Sequence, residues 1–133
     1  KLLSFEEIKI TISSLFGRID VDELIVDNDD IQYLFHIFRG KRNPERFSIH
    51  LRFKETHDIL VRVDINPSNK HINPDGKIIL GNHIHIYSNK YPKRDSIAIP
   101  LEESNFPNIN TISDVFSAFI RYTNIRKEEI PNE

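Results

Sequence analysis

The sequence predicts a single α+β domain, in which an antiparallel sheet of five to six strands is flanked by an N-terminal and a C-terminal helix. Two observations predict it. Apolar residues recur at helical spacing near both ends of the chain, and between the ends they alternate with polar residues in consecutive segments joined by short turns. The length of 133 residues suits one domain. We place it at residues 1–127 and expect a frayed polar tail at 128–133.

Each terminal helix is predicted from an apolar stripe beside a capping signal. Ser4 and Glu7 have the spacing of a capping box, and apolar residues then recur every three or four positions up to Gly17. Thr111 and Asp114 give a weaker capping signal before a second apolar stripe. Helices at both ends of a run of strands would cover one face of the sheet and give two layers.

The strands are predicted from β-forming composition and period-two alternation. A long loop at 66–81 separates the last two strands from the others, and within it Asn73-Pro74-Asp75-Gly76 has the residue preferences of a type I turn. We expect strands at 24–26, 31–39, 47–53, 58–65, 83–87 and 96–101.

The amino-acid composition limits the kinds of functional site that the chain can form. The chain has no cysteine, which excludes disulfides, thiolate metal sites and cysteine nucleophiles, but it has six histidines. The formal net charge of −2 argues against a non-specific DNA-binding protein. No apolar stretch is long enough to cross a membrane, and the first residues do not look like a signal peptide. We therefore expect a cytoplasmic protein with no membrane association.

The histidines predict a metal site built from nitrogen and oxygen ligands. His83 and His85 are two positions apart in one strand, so their side chains lie on the same face. Asp64 lies on the polar face of another strand, and the turn after His71 can bring that residue back towards the pair. We predict zinc, with other divalent transition metals as alternatives, bound by His71, His83, His85 and Asp64. His50 is a further candidate ligand.

Residues 60–101 resemble a small uncharacterised family found in bacteria, phages and mobile elements. Its pattern is close to R-x-D-x-N, then H-x-NPDG, then two histidines and a tyrosine that alternate with apolar residues. The matching residues here are Arg62, Asp64, Asn66, His71, Asn73 to Gly76, His83, His85 and Tyr87. The family implies no activity. The chain is also similar to small anti-CRISPR proteins, some of which bind metal, and this similarity implies a Cas9-type protein partner.

Three functions are compatible with such a site. In the first, four protein ligands close a structural zinc site and the protein binds and inhibits a host protein, most concretely a Cas9-type nuclease. An acidic stretch would then dock on a basic groove of the partner. The candidate partner-binding residues are Asp20, Asp22, Glu23, Asp27, Asp29 and Asp30.

The other two functions are enzymatic. His83 and His85 fit the short motif of His-apolar-His endonucleases that cleave single-stranded DNA, with Tyr122 of the last helix as the attacking group. Alternatively, three ligands and a water form a hydrolytic zinc site, with Asp75 or Asp64 as the base. Basic residues cluster near two turns, at Arg39, Lys41, Arg42 and Arg46 and at Lys90, Lys93 and Arg94. The second cluster, which includes Tyr91, gives direct nucleic-acid binding as a lesser alternative.

Overall fold

A computed structural model describes residues 17–126 of the chain. The described part contains eight β-strands, one short 3₁₀ helix at Leu101–Glu103 and one α-helix, α1, at Ile112–Tyr122. The strands are β1 (Ile19–Val26), β2 (Gln32–Arg39), β3 (Phe47–Phe53), β4 (Ile59–Ile65), β5 (His71–Ile72), β6 (Ile78–Ile79), β7 (His83–Ile86) and β8 (Ala98–Pro100).

Six of these strands form one antiparallel sheet in the order β1-β2-β3-β4-β7-β8. The predicted antiparallel sheet and C-terminal helix are therefore confirmed. The predicted N-terminal helix and polar tail lie outside the described residues. In its described part the domain is largely β-structure, with α1 as its one α-helix. No helix in residues 17–126 is long and apolar enough to cross a membrane.

The two faces of the sheet differ sharply. One face is apolar and packs against α1, and at its centre Ile49, Val63 and Ile84 of three neighbouring strands are fully buried. The ring of Phe35 contacts the rings of Phe116 and Phe119 on α1, with centroids 5.8 and 5.6 Å apart. Because side chains alternate along each strand, the polar residues between these core positions all lie on the opposite face.

Two segments differ from the sequence prediction. The first strand is eight residues long and includes Asp20, Asp22 and Glu23, because it pairs with β2 along its whole length and bonds the backbone groups that face β2. The expected loop at 66–81 contains the two-stranded hairpin of β5 and β6. A strand of two residues is too short to show the period-two alternation from which strands are predicted.

The hairpin turn follows the local chemistry of its residues. The Gly76 N–H donates to the Asn73 carbonyl over 2.8 Å, and Gly76 has a φ of 88°, a conformation that favours glycine. The Asp75 carboxylate accepts a hydrogen bond from the Lys77 N–H. The Asn73 side chain then joins the hairpin to β8, since its amide donates to the Ala98 carbonyl over 2.9 Å and accepts from the Ala98 N–H over 2.8 Å.

Candidate metal site

The register of β4 and β7 brings a carboxylate and two imidazoles together on the polar face of the sheet. Asp64 is directly opposite His83, and Arg62 is directly opposite His85. The Nε2 atoms of His83 and His85 lie 3.2 and 3.3 Å from the same oxygen, Oδ2 of Asp64. All three residues are buried. One carboxylate oxygen and two ring nitrogens therefore converge on one small volume.

The spacing of these atoms fits a tetrahedral zinc ion. Bonds of about 2.0–2.1 Å at tetrahedral angles separate neighbouring ligand atoms by roughly 3.3 Å. The two distances from Asp64 Oδ2 to the histidine nitrogens have this length. One ligand atom from each of Asp64, His83 and His85 lies within 4.8 Å of the other two. Three ligands from the protein leave a fourth position for water or another ligand.

Backbone carbonyls determine which nitrogen of each histidine can bind a cation. Nδ1 of His83 lies 2.8 Å from the Gly81 carbonyl oxygen, and Nδ1 of His85 lies 2.8 Å from the Asp95 carbonyl oxygen. A carbonyl can only accept, so both Nδ1 atoms must carry the hydrogen. In the neutral rings, Nε2 then presents a lone pair to Asp64. This is the outer-shell arrangement that orients metal-binding histidines.

The charges around Asp64 keep its carboxylate ionised. Burial raises the pKa of Asp64, but the hydrogen bonds that His83 and His85 donate through Nε2 in their protonated forms, and the positive charge of Arg62, outweigh burial and hold this pKa well below its usual range. The Arg62 Nε donates to Oδ1 over 3.0 Å, which leaves Oδ2 for the histidines. Burial lowers the pKa of His83, but the bonds with Asp64 and Gly81 outweigh it and raise this pKa.

His71 lies beside the three residues but outside the convergent group. Its ring centroid is 4.7 Å from that of His85 and 6.0 Å from that of His83. Its Nε2 donates to the Ser96 carbonyl over 2.7 Å, so Nδ1 holds the lone pair of the neutral ring. His71 is not in the group whose ligand atoms lie within 4.8 Å of one another. The turn thus returns the chain towards the pair, as expected, but ligation by His71 would require a movement of its ring.

The further candidate, His50, lies away from the convergent group. Its Nε2 accepts a hydrogen bond from Arg52 over 2.7 Å, and its ring stacks on His36. Burial, together with the charges of His36, Arg52 and Arg62, lowers the pKa of His50 to about 4. His50 is therefore a neutral partner of its neighbours in the sheet.

The acidic residues predicted to bind a partner do not form one surface. Asp20 and Asp22 are exposed on the polar face of β1, where they flank His36 at 3.6 and 2.6 Å. Glu23 is buried and alternates to the other face. Asp27 accepts the backbone N–H groups of Asp29 and Ile31 and the hydroxyl of Tyr33, so it closes the turn between β1 and β2.

Asp29 and Asp30 are exposed in that same turn. The six residues are thus divided between two sheet faces and one turn.

Tyr122 is separated from the histidines by the sheet. It lies at the end of α1, where its ring packs edge-to-face on Phe106 with centroids 5.6 Å apart. The apolar face of the sheet carries α1, whereas His83 and His85 lie on the polar face. The Tyr122 hydroxyl is therefore not placed to attack a phosphate held at these histidines.

The three convergent residues line an open cleft of about 530 Å³. Asp64, His83 and His85 lie on the sheet beneath it, and its walls come from residues 67–71 and from the loop after β7. Besides Asp64, the charged residues that line the cleft are Arg46, Arg62, Lys70, Lys93 and Asp95. A volume of this size is typical of small-ligand sites.

The sequence alone indicated no contact with the candidate ligands for Arg62 or for the carbonyls of Gly81 and Asp95. Arg62 is two positions before Asp64 in an alternating strand, so its place on the same face could have been predicted. The carbonyls of Gly81 and Asp95 have no side-chain signal, because any residue supplies a carbonyl. The contact of Asn73 with Ala98 joins residues 25 positions apart, and the sequence does not show that pairing.

The fold and the cleft define a small β-rich domain with a candidate metal site on the polar face of its sheet. A model of the family of unknown function DUF6978 matches residues 4–125, so the chain belongs to that family. The expectation of a small uncharacterised domain family is confirmed at this level. Neither the search of curated proteins nor that of solved structures finds a match. The more specific similarity to anti-CRISPR proteins stays a prediction.

Proposed function

We propose that this domain binds one divalent transition-metal ion through Asp64, His83 and His85, and that this ion is zinc. The supporting observation is the pair of distances, 3.2 and 3.3 Å, between Oδ2 of Asp64 and the two Nε2 atoms, whose Nδ1 positions are held by backbone carbonyls. In neutral histidines, three acceptor atoms face one another at this point. A bound cation attracts all three atoms and so offsets their mutual repulsion.

The ligand chemistry favours zinc over magnesium or calcium. Two imidazoles and one carboxylate suit zinc and its transition-metal neighbours, whereas magnesium and calcium prefer oxygen ligands alone. In this proposal His71 is a neighbour of the ion and not its fourth ligand. A fourth ligand would reach the ion from the cleft, because all three protein ligands line the cleft.

The broader expectation of a host-protein inhibitor stays a prediction from the sequence. The division of the acidic residues between two faces and a turn gives a docking surface no added support. The endonuclease alternative also gains none, because α1 and its Tyr122 pack on the other face of the sheet. Metal binding is the function that the geometry supports best.

Metal analysis of protein purified without a histidine tag tests the proposal. We expect about one zinc ion per chain after dialysis against a weak chelator, and a calorimetric titration of the stripped protein that saturates at the same ratio. Zinc or cobalt binding well below one ion per chain in the stripped and reloaded protein would overturn the proposal.

A further inference from the structure

We infer that the cleft above the metal site binds a phosphate group, which occupies the open coordination position of the ion and contacts the basic side chains of the cleft wall. This inference rests on the proposed metal binding. It goes further in naming the chemical class of the ligand, a small phosphate monoester or inorganic phosphate.

The charge of the cleft favours an anion. Its lining includes four basic side chains and two carboxylates, and one of these carboxylates, Asp64, already contacts Arg62, His83 and His85. Within residues 17–126, Lys70 and Lys93 form no ion pair, and both are exposed residues that line the cleft. A divalent ion adds two further positive charges. An anionic ligand with several oxygens balances this excess.

The geometry favours phosphate over a carboxylate. A tetrahedral phosphate can give one oxygen to the metal and others to lysine and arginine side chains in different directions. Hydroxyl and amide groups add further donors, because Ser48, Ser68 and Asn69 also line the cleft. A carboxylate has only two oxygens and would leave part of this donor set without a partner.

The wall of the cleft is held in place before any ligand binds. The Asn66 N–H donates to the Asn82 side chain over 2.7 Å, and the Asn66 amide donates to the Glu45 carbonyl. The Arg46 Nε donates to the Asn66 carbonyl over 3.0 Å. At the other end of the same segment, His71 donates to the Ser96 carbonyl. Residues 67–70 are thus anchored on both sides, which lowers the entropic cost of binding.

Calorimetric titration of the metal-loaded protein with methyl phosphate tests the inference. We compare the wild type with the double variant Lys70→Ala/Lys93→Ala. A matched control, Lys77→Ala/Lys90→Ala, removes two exposed lysines outside the cleft. We expect the cleft variant to weaken methyl phosphate binding by about tenfold or more and the control to have little effect. Both variants should keep the metal content of the wild type.

The outcomes separate this inference from the proposed metal binding. Full metal occupancy with no binding of methyl phosphate, or with equal affinity in the cleft variant and the wild type, would overturn the phosphate site alone. Acetate binding as tight as methyl phosphate binding would overturn the choice of phosphate. A wild type that takes up no metal would overturn both proposals.

Discussion

Asp64 and His83 are directly opposite each other in the antiparallel pair of β4 and β7, and Oδ2 of Asp64 lies 3.2 Å from Nε2 of His83. His85 reaches the same oxygen from two positions further along β7, at 3.3 Å. A single register between two strands therefore assembles the candidate metal site.

Removing one Nε2 atom should abolish tight metal binding. In the variant His85→Asn, the shorter amide can still donate to the Asp95 carbonyl, but it has no atom at the position of Nε2. We expect metal affinity to fall by more than the roughly 10–100-fold that loss of an outer-shell partner costs. Competition with a chromophoric chelator measures it. His57→Asn is the control, because His57 is exposed and has a φ of 64°, which asparagine tolerates. Unchanged affinity in His85→Asn would contradict the assignment.

Substitution of His71 should leave the metal content unchanged. In His71→Gln, the side-chain amide can replace Nε2 as the donor to the Ser96 carbonyl. Because the proposed ligand set contains only Asp64, His83 and His85, we expect one metal ion per chain and an affinity close to that of the wild type. Elemental analysis and chelator competition check both. A loss of affinity comparable with that of His85→Asn would identify His71 as a fourth ligand.

Metal affinity should rise with pH across the titration of His83. The hydrogen bonds of His83 with Asp64 and Gly81 raise its pKa above the ordinary 6.5, so the metal-free protein holds a proton that the metal must displace. In the metal-free protein, this proton contributes stability that is fully present below pH 6.5 and is lost as the pH rises through the raised pKa. We expect zinc to bind more weakly at about pH 6 than at about pH 8.

Calorimetry in buffers of different ionisation enthalpy should detect proton release on zinc binding at the lower pH. Affinity independent of pH over this range would contradict a protonated His83 in the metal-free protein.

His50 should contribute to loss of stability in acid. Burial and the charges of His36, Arg52 and Arg62 lower its pKa from 6.5 to about 4. The unfolded chain therefore takes up this proton first, and the stability contribution, present above pH 6.5, is lost as the pH falls towards 4. In His50→Gln, the side-chain oxygen can accept from Arg52 without titrating. We expect chemical denaturation to show a shallower fall in stability between these pH values, with His57→Asn behaving like the wild type.

Asn73 should stabilise the contact between the β5–β6 hairpin and β8, the strand at the edge of the sheet. Its buried amide makes two hydrogen bonds with the backbone of Ala98, so Asn73→Ala leaves a donor and an acceptor without partners. We expect the free energy of unfolding to fall by about 2–4 kcal/mol. Asn73→Asp keeps the acceptor but turns a carboxylate oxygen towards the Ala98 carbonyl, so it should also lower the free energy of unfolding near neutral pH.

Asn108→Ala serves as the control, because Asn108 is exposed and lies outside the sheet. A denaturation midpoint for Asn73→Ala equal to that of the control would show that the two hydrogen bonds contribute nothing net.

The sequence by itself determined the features that depend on neighbours along the chain. Alternation in β3 and β4 predicts strands with one apolar face, and the spacing of His83 and His85 predicts that they share a face. The Asn73–Gly76 turn follows from residues that favour its backbone angles. Each of these features depends on local backbone geometry, which the order of residue types specifies.

Only the tertiary structure decided which strands meet and in what register. Periodicity orients side chains within one strand, but the pairing that places Asp64 opposite His83 depends on packing across the whole sheet. Tertiary packing also brings the Asp95 carbonyl to His85 and brings His71 close to the site. It places Tyr122 on the other face of the sheet. These contacts join distant positions, and they form only when the core on the other face packs.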